Sequence, residues 1–332
     1  MLFTLLSSTG KLEREIWVKL CPDTFSIHLY LNNKIAYAFI FSQSKISINL
    51  KVALAEANKR VSSYENFVCS PLGIHILLSI LANGSTGETR NQIYKVLGSK
   101  TLKEINKTAS DFKKVVYPKI DANLKGLETP EVSFVNGAWV DQQNTSLRPA
   151  FQKLLEGTYK ADVQAVDFQN KEEVCEDINS WVREATSGLI TELLSPQLLE
   201  QDTILVLGNA LFFKAAWKIR FVSCVNKAFY LITGETIIAP FMSTLKPHYQ
   251  FRGALFDDFK LVRFPYKTGQ DTTRQFAMYI FLPNANDGLL SLMERFSKDP
   301  GFLDQLELSS VFSQIFGSPN SNSPICFRSR TH

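Results

Sequence analysis

The spacing of apolar residues changes period several times along this chain, and each change marks an element. Residues 1–49 carry apolar clusters without a clean helical period. Val52–Val61 (VALAEANKRV) fits a short amphipathic helix with Leu54 and Ala55 on one face, and Asn66–Val68 a brief strand. Ser70-Pro71 then pairs an N-cap hydroxyl with a proline at the first helical position, where a missing N–H costs nothing. Leu72, His75, Ile76, Ser79 and Ile80 carry that helix to Asn83-Gly84. Gln92, Ile93, Val96 and Leu97 form a second helix, which Gly98 is placed to end in the left-handed conformation.

Further along, the period shortens to two. Glu131–Asp141 (EVSFVNGAWVD) reads as a strand, Arg148–Leu155 as a helix and Val163–Phe168 as a short strand. Asn170 with Glu173 makes a capping-type start to the clearest helix, in which Val174, Ile178, Trp181, Val182 and Ala185 form one stripe and Gly188 the stop. Thr203–Lys214 (TILVLGNALFFK) is nearly all apolar, about 12 residues or roughly 40 Å when extended. That pattern predicts a central strand of a large sheet, covered on both faces. Tyr249–Phe251, Phe259–Tyr266 and Gln275–Leu282 are strand-like, and the turn at 283–288 leads into a short helix, Leu289–Phe296. After Leu306 the composition turns to Ser, Asn and Pro without period, which reads as a tail.

Composition narrows the class without choosing a function. The 332 residues are 45% apolar and 20% charged, the proportions of a globular protein, which excludes collagenous, low-complexity and wholly disordered readings. A net charge of +4 is too weak a bias to argue for a nucleic-acid partner. Cys21, Cys69, Cys175, Cys224 and Cys326 are scattered, with neither a CxxC pair nor zinc spacing, so neither a disulfide framework nor a metal site is expected. No run reaches the roughly 20 apolar residues that span a bilayer. MLFTLLSSTG lacks the charged lead-in of a secretory signal.

Catalytic patterns are missing as well. There is no GxSxG, HExxH or GxxxxGK[ST], and the four histidines, His28, His75, His248 and His332, pair with no cysteine at metal spacing. His75 on an apolar helix reads as a satisfied core histidine, and His248 as a loop residue. Gly84-Ser85-Thr86-Gly87 joins two helices and does not follow a strand, so it is a connection and not a phosphate cradle. Glu172, Glu173, Glu176 and Asp177 suit the positive end of a helix dipole. Lys113, Lys114, Lys119 and Lys125 read as a solvated face. Glycosylation sequons begin at Asn83, Asn106 and Asn144, and triplets of this kind arise by chance. No catalytic residue, metal ligand or cofactor site is expected.

Five segments taken together resemble one family. NFVCSPLGIHILLSILANGSTGETRNQI, NGAWVDQQNTSLRPAFQKLLEGTYKADVQAVDF, VCEDINSWVREATSGLITELL, LGNALFFKAAWKIRF and FAMYIFLPNANDGLLSLMERF with PGFLDQL are similar, in order, to serpins, and the last pair to the plant branch. The resemblance implies an α+β fold of three sheets with a helical cluster. It also implies inhibition of serine, and sometimes cysteine, proteases. A reactive-centre loop is offered as bait, and after cleavage it enters the large sheet as an extra strand. Ser70 and Asn209 match positions where that sheet parts, and Trp217 a residue near the top of the opening. Each has a structural role beside this: helix cap, buried amide and core aromatic.

The chain departs from that pattern in several places. Gly73 stands where the family usually has serine, and Cys69 precedes the Ser-Pro pair, so a looser opening region is expected. Residues 1–49 read as a non-family extension, 50–306 as an incomplete serpin domain and 307–332 as an unrelated tail expected to be disordered. That tail resembles neither the hinge, the reactive-centre loop nor the closing strands, so the chain is expected to have no bait and not to inhibit. Its large sheet is expected to lack strands beside the central one, and a second sheet its final hairpin. Low stability and self-association, or pairing with full-length serpins through the open edge, are the expected consequences. Extracellular space and cytosol both fit the family.

Overall fold

Proline at the second position of Ser70-Pro71 does what its chemistry predicts. Ser70 is extended (φ −107°, ψ 98°), its Oγ accepts the Gly73 amide at 3.1 Å, and the first helix follows directly. A computed structural model of the chain describes four strands among residues 2–42, together with residues 70–310. Within the latter there are breaks at 117–128, 144–146, 231–235, 245–250, 299–301 and 303–306 and at a few single or paired positions. The helix expected at Val52–Val61, the strand at Asn66–Val68 and the tail beyond Ser310 lie outside the described residues.

In chain order the strands at the start are β1 (Leu2–Ser7), β2 (Tyr30–Leu31), β3 (Lys34–Ile35) and β4 (Tyr37–Ser42). The first layer of helices is α1 (Pro71–Gly84), α2 (Gly87–Leu97) and α3 (Leu102–Val116). Gly98 closes α2 at φ 65°, the left-handed C-cap expected of it. β5 (Glu131–Asp141) follows, then α4 (Pro149–Leu154), whose last turn widens into a π turn over Leu155–Tyr159 before β6 (Ala161–Val166). Next come α5 (Lys171–Ala185), β7 (Thr203–Lys214), β8 (Phe221–Tyr230) and β9 (Thr236–Thr244). The remaining elements are β10 (Arg252–Leu255), β11 (Phe259–Pro265), β12 (Phe276–Pro283), α6 (Leu289–Lys298) and β13 (Ser309–Ser310).

The first sheet runs β1-β7-β5-β6. β5 and β7 are antiparallel, with Asn136 opposite Asn209 and Gly137 opposite Gly208, and β6 lies parallel to β5. Alternation along β7 divides its side chains between two cores. Leu205 and Leu207 face the cluster built on α1, while Val206 and Ala210 face the one holding Trp139, Ile178 and Val182 of the α5 side. A strand buried on both faces has no polar face to show, which is why its sequence is continuously apolar. The second sheet runs β13-β10-β11-β12-β4. There Phe259, Leu261 and Phe281 pack on Leu292, Met293 and Phe296 of α6, and the opposite face packs Val262, Phe264, Met278 and Ile280 against Phe213.

The α+β class stands, and among the described residues the sheets are two large ones and two ribbons, β2-β3 and β8-β9. The largest difference concerns the edge of β7, expected to be open. β1 lies on it antiparallel, from Leu2 opposite Asn209 to Leu6 opposite Leu205, and β4 extends the second sheet beside β12. Residues before position 50 therefore take part in both sheets. Asn170 does not cap the backbone of α5; its side-chain amide donates to the Glu173 carboxylate instead.

Candidate functional site at the centre of the large sheet

The antiparallel register puts two asparagines opposite each other in the middle of the first sheet, both facing α1. Asn209 is 1% and Asn136 2% exposed, so each amide must be satisfied inside the protein. Asn209 Nδ2 donates to the Val135 carbonyl at 3.0 Å and to Asn136 Oδ1 at 2.8 Å. Asn136 Nδ2 in turn donates to the Tyr159 carbonyl at 2.7 Å, at the end of the π turn. The Tyr159 hydroxyl donates to Asn106 Oδ1 at 2.7 Å. Burial pushes the Tyr159 phenol well above its usual range, and hydrogen bonds from Ser79 and Asn83 offset that in part. These bonds form one polar seam, leading from the sheet centre out to the helical layer.

On the other side of Asn209 lies the start of α1. A Cβ on Gly73 would sit 2.5 Å from Asn209 Oδ1 and 3.6 Å from Ser70 Oγ. Glycine at 73 is therefore what lets the central strand come this close to the helix. Of the three family positions, Ser70 and Asn209 meet here, around Gly73. Trp217 does not join them. It stacks on Tyr266 with ring centroids 4.3 Å apart and interplanar angle 15°, beside Phe264 in the core of the second sheet. The Tyr266 hydroxyl is buried without a hydrogen-bond partner among the described residues, and burial raises its pKa.

His75 is a core residue as expected, but not a satisfied one. It is 4% exposed, and neither ring nitrogen has a hydrogen-bond partner among the described residues. Burial pulls its pKa down from 6.5 to about 4, so the ring is neutral at pH 7. His28, His248 and His332 lie outside the described residues, as do Lys119 and Lys125. Lys114 pairs with Asp111 at 2.8 Å, Lys113 donates to the Gly157 carbonyl at 3.0 Å, and Glu176 pairs with Arg183, all on the exposed surface.

Amides neither take up nor release protons near neutral pH, so this seam has no acid–base chemistry. What it offers is attachment: two side-chain amides clasp β5 to β7. Sequence reasoning found Asn209 and Ser70 and missed Asn136, Tyr159 and Gly73's contact. The signal for Asn136 was present. One strand contains Asn-Gly and the other Gly-Asn in otherwise apolar runs, and only an antiparallel alignment sets like opposite like.

Comparison with known proteins places this geometry. The family model described as Serpin (serine protease inhibitor) matches residues 42–310. Serpin-ZXA of Oryza sativa subsp. japonica is 40% identical over 271 residues, covering 80% of this chain and 66% of the relative. Serpin-ZX of Arabidopsis thaliana is 38% identical over 265 residues, covering 79% and 65%. The chain thus spans just under two thirds of the length of these curated relatives. Among solved structures, Arabidopsis AtSerpin1 in its native stressed conformation matches with TM-score 0.68 and 35% identity, covering 80% of this chain and 68% of that one. Emu ovalbumin, at 20% identity and TM-score 0.67, shares the fold.

Proposed function

Because the chain belongs to the serpin family, we propose that it is the sheet-and-helix body of a protease-inhibitor protein. Its class of partner is the serine or cysteine proteases, and it has no catalytic chemistry of its own. The observation that carries the reading is the Asn209–Asn136 clasp beneath Ser70 and Gly73. Inhibition in this family requires the large sheet to admit a strand, and amides that fasten β7 to β5 leave the opposite edge of β7, the one β1 lies on, as the place of entry.

As it stands, the chain is proposed not to inhibit. β1 lies along the edge of β7, where an incoming strand would need room. Incubation with trypsin-like and papain-like proteases, followed by denaturing electrophoresis, tests this. No SDS-resistant complex is expected, and a covalent band at the summed mass overturns the reading.

A second reading is a binding role, through strand addition at the sheet edge. It is favoured by the register of β1, which stops at Asn209 and leaves Ala210–Lys214 of β7 without a partner on that side among the described residues. Leu211 in that stretch is 37% exposed. Failure of the chain to co-purify with a complete serpin would remove this reading.

A further inference from the structure

Two of the three sequons fall on the polar seam. Asn83 ends α1 and Asn106 lies in α3, and their side chains form a reciprocal amide pair. Asn83 Nδ2 donates to Asn106 Oδ1 at 2.8 Å, and Asn106 Nδ2 donates to Asn83 Oδ1 at 3.1 Å. Asn83 Nδ2 also donates to the Ser79 carbonyl at 2.9 Å and lies 3.2 Å from the Tyr159 hydroxyl. An N-linked glycan is attached to this same nitrogen, replacing one of its two hydrogens. At Asn83 both hydrogens are committed, and Asn106 gives Asn83 the hydrogen on the side of its own oxygen, the one a trans-amide glycan replaces. A sugar on either would break the pair and would have to leave through the junction of α1, α3 and the π turn.

We infer that the fold is incompatible with N-glycosylation at Asn83 or Asn106, so that the chain becomes native only with both side chains bare. Passage through a compartment that transfers glycans to these sequons then lowers its yield. Asn144 lies outside the described residues and serves as an internal comparison.

The test uses variants that destroy each acceptor triplet and keep each asparagine. Ser85→Ala and Thr108→Ala suit this, because each hydroxyl donates to a helix carbonyl four residues earlier, Leu81 and Glu104. The full chain is sent through the secretory pathway of a eukaryotic cell behind a cleavable leader. Glycan occupancy at each sequon is then read by mass spectrometry in the soluble, protease-resistant fraction and in the aggregated one. Glycans at 83 and 106 are expected in the aggregated fraction only, and the double variant should give several-fold more soluble protein. Soluble, protease-resistant wild type carrying a glycan at either position overturns the inference. So does a glycosylated wild type whose yield the double variant fails to raise.

If neither site receives a glycan, Asn106→Asp in protein made without glycosylation decides the matter. It sets two acceptors face to face across the pair, where a glycan would also remove a donor. A fall in Tm of about 2–4 °C or more is expected, and an unchanged Tm overturns the inference.

Discussion

Gly73 and His75 sit two positions apart on the same helix and set two different limits on it. The oxygen that would collide with a Cβ at 73 belongs to a side chain held by Val135 and Asn136, so it cannot move aside without breaking those bonds. Gly73→Ala should therefore lower stability by about 1–3 kcal/mol, read from the urea midpoint. A midpoint within error of wild type would show that the clasp can shift at no cost.

His75 gives a pH dependence with a definite sign. Its folded pKa of about 4 lies below the unfolded 6.5, so the unfolded chain binds a proton that the folded one refuses. Stability is undiminished by this group above pH 6.5 and falls as pH drops toward 4, by about 3 kcal/mol in all. His75→Leu should flatten the slope of unfolding free energy over that window, and an unchanged slope would exonerate the histidine. The sequence reveals that this residue is buried, because its neighbours at helical spacing are apolar. Whether its nitrogens find partners depends on residues distant in sequence, and no local pattern encodes that.

At the scale of elements, one asparagine ties a helix to a loop. Asn179 of α5 accepts the amides of Leu193 and Leu194 at 2.6 and 2.9 Å and donates to the Leu194 carbonyl at 2.8 Å. Asn179→Ala leaves these buried groups unpaired and should cost on the order of 2–4 kcal/mol. Hydrogen exchange at Leu193 and Leu194 is expected to accelerate first, and protection equal to wild type would refute the tether. α5 and β7 were legible in the sequence because burial on one stripe, or on both faces, writes a strong period. α3 was missed because its buried Ile105, Ala109 and Val116 are few among polar residues. The β8-β9 ribbon was missed for a related reason. Ile237 and Ile238 are adjacent yet both exposed, 39% and 68%, so no alternation survives to be read.

Across the whole molecule the decisive feature is the edge of β7. β1 satisfies the backbone there from Thr203 to Asn209, and removing residues 1–8 would bare the full strand. Size-exclusion chromatography with light scattering should then show more association than the intact chain gives at equal concentration. A truncated chain that stays monomeric would mean β1 is dispensable as a cover. The family resemblance made the sheet's centre legible and left this edge wrongly open. Strand pairing between segments about 200 residues apart follows from no local pattern, and LFTLLS has no period beyond being apolar.

That same distance has a consequence in time. Leu2 pairs with Asn209, and Ser42 with Phe276, so each early strand waits for a partner roughly 200 residues later in the chain. At roughly 5–20 residues per second on the ribosome, the hexapeptide Leu2–Ser7 stays unpaired for on the order of ten to forty seconds. The loop closed by the pairing adds only a logarithmic entropy penalty, so the exposure is kinetic in origin. The nascent chain is expected to need a chaperone's shelter until β7 emerges.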